Sequence, residues 1–109
     1  MFTHYIETNA PSAKRGKYPP IKANITTYDA FNTVKQYLTE NGYEGITANE
    51  EFNDIFAKNG IYEISISIAT NMGASLIQIS VYSEKKINHI KKTFKKIYSD
   101  LEDKLENYI

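Results

Sequence analysis

The sequence predicts an α+β domain: an antiparallel β-sheet covered on one face by two helices. Three observations lead there. Ile64-Ser65-Ile66-Ser67-Ile68 and Ile77-Gln78-Ile79-Ser80-Val81 each alternate apolar and polar residues, the period-2 pattern of a half-buried strand. A glycine-containing connection short enough for a hairpin joins the two runs. Beyond residue 84 the apolar residues recur every three or four positions, the pattern of a helix with one buried stripe.

Taken in chain order, residues 1–26 read as an extended or mobile arm and residues 27–109 as the globular core of a single domain. Three prolines and Gly16 lie within residues 9–20, while residues 1–7 and 21–25 have strand character and could extend the edge of a sheet. A helix is expected over 28–41, with Thr27 as N-cap, Asp29 in the first turn and Asn41-Gly42 as a left-handed stop. Its apolar face is Phe31, Val34, Tyr37 and Leu38. Two signals conflict over 49–58. Thr47-Ala48-Asn49-Glu50 is a capping box followed by Phe52, Ile55 and Phe56 at helical spacing, whereas Asn59-Gly60 is a hairpin signal that would make the same stretch a strand. The capping box favours the helix.

The hairpin 61–69/75–83 forms the centre of the sheet. Placing its isoleucines on one face pairs Ile68 with Ile77, Ile66 with Ile79 and Ile64 with Val81, leaving 71–74 as the loop. The last element is a long helix over 84–107, with Ser83 as N-cap and Ile87, Ile90, Phe94, Ile97, Leu101, Leu105 and Tyr108 as its stripe. About 24 residues make about 36 Å of helix, more than a strand pair covers, so one end is expected to project or to meet a partner. Lysines fill its first half and acids its second, opposite to what the helix dipole favours. Local helix stability therefore did not place those charges; packing beside the acidic middle of the chain, a genome bias toward lysine, or an antiparallel copy of the same helix would account for them.

Much chemistry is missing. The 109 residues contain no cysteine, so disulfides, thiolate metal sites and thiol catalysis are excluded. Thirteen basic and thirteen acidic side chains balance, so no global field draws the chain toward polyanions. No apolar run is long enough to span a bilayer, and residues 1–7 lack a basic segment followed by an apolar one, so a cytoplasmic location is expected. The glycines form neither a phosphate loop nor a dinucleotide fingerprint, and no serine sits in a nucleophile elbow. His4 and His89 have no local catalytic company. Glu50, Glu51 and Asp54, with Asn49 and Asn53, are the densest set of oxygen ligands but lack the spacing of a calcium loop. No cofactor, metal or enzymatic activity is expected.

The candidate binding surface is the polar face of the hairpin: Ser65, Ser67, Leu76, Gln78, Ser80 and Tyr82. These small or neutral side chains are cheap to desolvate, so a protein partner or a second copy could cover them. A non-enzymatic interaction module, self-associating as a homodimer through this face or the long helix, is the favoured reading. Polyanion or nucleic-acid binding is the alternative, through Lys14, Arg15 and Lys17 of the arm and Lys91, Lys92, Lys95 and Lys96 of the helix. Together with Lys85 and Lys86, those helix lysines spread over the whole polar arc, which argues against a groove-reading strip. A small apolar ligand between helix and sheet is the third reading.

Overall fold

The computed structural model describes residues 4–8, 18–84 and 87–105. Its elements are β1 (His4–Glu7), β2 (Ile21–Ala23), α1 (Thr27–Glu40), β3 (Glu44–Asn49), β4 (Asp54–Asn59), β5 (Tyr62–Asn71), β6 (Ala74–Ser83) and α2 (Ile87–Leu105). All strands join one antiparallel sheet in the lateral order β1, β6, β5, β4, β3. β2 shares the lane of β1: β1 pairs with Ser80–Ser83 of β6 and β2 with Ser75–Ile77. Ile21 and Ala23 of β2 are buried, so the globular core begins before residue 27 and takes in part of the expected arm.

The central hairpin has the expected register, Ile64 opposite Val81, Ile66 opposite Ile79 and Ile68 opposite Ile77. It runs further than expected, to an Asn71–Ala74 pair, which leaves a two-residue turn. Met72 (φ 52°) and Gly73 (φ 85°) are both left-handed, as a type I′ turn requires.

The expected helix over 49–58 is absent, and a β3–β4 hairpin stands in its place. Asn49 Oδ1 accepts the amides of Glu51 (3.1 Å) and Phe52 (3.4 Å), so the residues of the capping box make an Asx turn at the end of a strand. The local signal was a genuine turn of backbone, but it could not propagate because Ile55 and Ala57 bury on the sheet opposite Ile66 and Ile64. Asn59-Gly60 does close a hairpin. Asn59 pairs with Tyr62 and the central residues are Gly60 (φ 60°) and Ile61, which makes the turn type II′. Between Glu44 and Thr47 one extra residue interrupts pairing with β4, and Gly45 (φ 59°) absorbs the bulge.

α1 is capped by Thr26, not Thr27, whose hydroxyl accepts the Asp29 amide at 3.1 Å. The expected cap of α2, Ser83, is instead a buried strand residue opposite His4 and Tyr62. Both helices lie on the isoleucine face, α1 over β3 to β6 and α2 over β1 and β6. Phe94, Ile97, Leu101 and Leu105 of α2 are fully buried with Ile64, Ile66, Ile77 and Ile79 of the sheet. Each such side chain contributes about 1.5–3 kcal/mol. Ile90 and Leu105 are equally buried, so α2 packs on the body between them; the expected helix ends at 85–86 and 106–107 lie outside the described residues. Tyr18 seals one flank, edge-on to Phe94 and Tyr98 at 5.0 and 5.3 Å. The Tyr98 hydroxyl donates to the Pro19 carbonyl at 2.6 Å.

Candidate functional site: the open face of the sheet

Strand parity puts a second set of side chains on the face away from both helices. Register across the strands arranges them in rows: Lys58, Glu63, Tyr82 and Tyr5; then Phe56, Ser65, Ser80 and Glu7; then Asp54, Ser67 and Gln78; then Ala69, Leu76 and Lys22. All six residues expected on a binding surface share this face, and all are half-buried. Four of them, Ser65, Ser67, Gln78 and Ser80, line a cup of about 250 Å³ together with Glu7 and Thr8. Leu76 and Tyr82 lie beyond the cup at opposite ends of β6.

The surface is not the neutral patch expected from the hairpin alone. β1 and β4 bring carboxylates to both sides of the serine rows. Ser67 Oγ donates to Asp54 Oδ1 at 2.8 Å, and Ser80 Oγ lies 3.4 Å from Glu7 Oε2. Aromatic rings form the margin. Tyr5 and Tyr82 lean together at 6.0 Å, with Tyr5 59% exposed, and Phe56 is 41% exposed beside Ser65. Thr8 lets β1 end at the cup: its amide donates to the Ile79 carbonyl at 2.9 Å, and its own Oγ1 accepts the Ile79 amide at 3.2 Å. Glu7, Thr8, Asp54, Phe56 and Tyr5 were missed because their place on this face depends on which strands flank the hairpin. Alternation of Tyr5-Ile6-Glu7 was the one legible hint.

The lysines of the polyanion reading are divided. Lys14, Arg15 and Lys17 lie outside the described residues. Lys91, Lys92, Lys95 and Lys96 are all exposed, but Lys92 and Lys96 face a cleft beside α1, and Lys91 and Lys95 are about 100° further round the helix. Lys96 is already committed, with its Nζ 2.7 Å from Asp100. Within the charge order that opposes the α2 dipole, Lys96 pairs with Asp100, while Lys104, which the dipole favours in the last turn, pairs with Glu40 of α1 at 3.8 Å.

Tyr37 joins the two helices, its hydroxyl donating to Asp100 at 2.7 Å. Burial first, and then the carboxylate, push the Tyr37 phenol well above its ordinary 10.0. Hydrogen bonds from Lys96 and then Tyr37 hold Asp100 below its ordinary 3.8. The layer between helices and sheet is filled by buried side chains, which gives no support to an apolar ligand there. The oxygen-rich stretch of residues 49–54 is a hairpin loop in which Asn49 serves the backbone and Asp54 accepts from Ser67. No described helix is long and apolar enough to cross a membrane. Compared with protein-family models, with curated proteins and with solved structures, the chain matches none.

Proposed function

We propose that this chain is a non-enzymatic interaction module that docks a protein on the open face of its sheet, and that the partner is a second copy of itself. The observation that carries this is the face itself. Both helices pack on the other side, and here hydroxyls and one amide form a centre bordered by exposed rings. A polar, easily desolvated middle with aromatic residues at its edge suits a reversible protein contact. Acids and bases occupy the same face, Glu7, Asp54 and Glu63 with Lys22 and Lys58, so a copy can offset them. The long helix is the weaker surface, because its apolar stripe is already buried.

Sedimentation equilibrium tests the proposal. The expected result is a concentration-dependent mass rising toward twice the 12.5 kDa of one chain. Ser80→Arg, which plants a bulky charge in the middle of the face, should return the monomer mass without changing the unfolding midpoint measured at concentrations where the wild type is also monomeric. A wild-type chain that stays monomeric at millimolar concentration, or a Ser80→Arg variant that associates equally well, would sink the idea.

A further inference from the structure

On the opposite side of the molecule, where the end of α1 meets α2 and the tip of β4, a cleft of about 260 Å³ is lined by Tyr37, Asn41, Tyr43, Asn59, Lys92, Thr93 and Lys96. We infer that this cleft is a binding site for a small phosphomonoester, with the ammonium of Lys92 as its principal anchor. The site does not depend on the sheet face or on self-association.

The argument starts with what each group is already doing. The last carbonyls of α1 would ordinarily attract a lysine, but the chain satisfies them itself. Tyr37 O accepts the Asn41 amide at 3.1 Å and the Asn41 side chain at 2.8 Å. Thr39 O takes the Gly42 amide and Leu38 O the Tyr43 amide. Lys92 is therefore not needed as a cap. Nor does it pair with an acid: among the described residues no carboxylate lies within ion-pair distance of it, whereas Lys96 has Asp100 and Lys104 has Glu40. Asp100 adjoins this cleft, and its Oδ2 already accepts from two of the lining residues, Tyr37 and Lys96.

Donors converge on the space that is left. Lys92 and Lys96 stand one turn apart on the same flank of α2, with Thr93 between them. Lys96 keeps hydrogens beyond the one given to Asp100. Across the cleft stand Asn59 and Tyr43, and burial raises the Tyr43 phenol, so its hydroxyl carries a proton to donate at neutral pH. Two ammoniums and two hydroxyls match the several oxygens of a phosphoryl group better than the two of a carboxylate. The volume exceeds what a phosphoryl group fills, and the Tyr37 and Tyr43 rings wall the remainder, which suits an organic ester.

Titration of the ¹⁵N-labelled protein at constant ionic strength tests the site. The probes are inorganic phosphate, phenyl phosphate, a phosphoserine peptide and acetate. Expected are saturable shifts at the amides of residues 41–43, 59 and 92–96 with the phosphates, and tighter binding of a monoester than of inorganic phosphate. Whether phenyl phosphate or the peptide binds more tightly assigns the source, a free small molecule or a phosphorylated chain. Lys92→Gln should weaken binding about tenfold or more, the loss of one charge-assisted contact, while Lys91→Gln should leave it unchanged. Shifts that do not saturate, that acetate reproduces, or that persist equally in Lys92→Gln would overturn the assignment.

Discussion

Tyr37 shows how one side chain can serve two layers. Its ring belongs to the apolar face of α1, and the sequence supports that much through its spacing with Phe31 and Val34. Its hydroxyl reaches Asp100, 63 residues along the chain, which no local pattern encodes. Tyr37→Phe should destabilise the protein by about 1–2 kcal/mol at neutral pH, the range for a bond to a charged group lowered by the partial exposure of Asp100. The pH dependence has two signs. Asp100 titrates lower in the folded state, so its contribution is present above pH 4 or so and is lost as the pH falls through its folded value. The Tyr37 phenol is raised, so its contribution is complete below its ordinary 10.0 and is lost as the pH climbs beyond that. Unfolding midpoints measured across pH should fall above about 10 in the wild type and fall less in Tyr37→Phe.

At the scale of elements, the two hairpins were unequally legible. The β5–β6 pairing follows from alternation, because shifting its register by one residue would turn every isoleucine outward. β3 and β4 carried a helix-start signal over Thr47-Ala48-Asn49-Glu50 and helical spacing over Phe52, Ile55 and Phe56. That spacing cannot be told from a strand by period when so few residues carry it. Pairing with β5 decided the matter, and Phe56 is left on the open face in consequence. The tip of the central hairpin offers a direct test. Met72 is 98% exposed and held at φ 52°, a conformation that disfavours methionine and suits asparagine. Met72→Asn creates Asn-Gly in a type I′ turn and should stabilise the protein by about 0.5–1 kcal/mol in urea unfolding, with the m-value unchanged.

For the whole molecule, stability should be graded across the sheet. β5 and β6 pair on both sides and carry the most deeply buried side chains, whereas β3 pairs only with β4 and is interrupted by its bulge. Hydrogen exchange should therefore show the amides of residues 64–68 and 77–81 opening only with global unfolding, and those of 46–48 exchanging at least about tenfold faster. Equal protection across the sheet would contradict this layout. The same layout explains the candidate sites. The six residues expected on the open face came from a parity rule acting inside one hairpin, so they were readable. Glu7, Asp54 and Phe56 joined them through strand neighbours distant in sequence, and the Lys92 cleft through the meeting of two helices and a strand end. By itself the sequence determined the fold class, the central register, the buried stripe of α1 and that of α2 from Ile90 to Leu105, because the burial periods of strand and helix are written in consecutive residues. The tertiary structure alone decided the state of residues 49–58, the strands beside the hairpin and the charges on the open face, because long-range pairing and burial outweigh a local preference of about 1 kcal/mol or less.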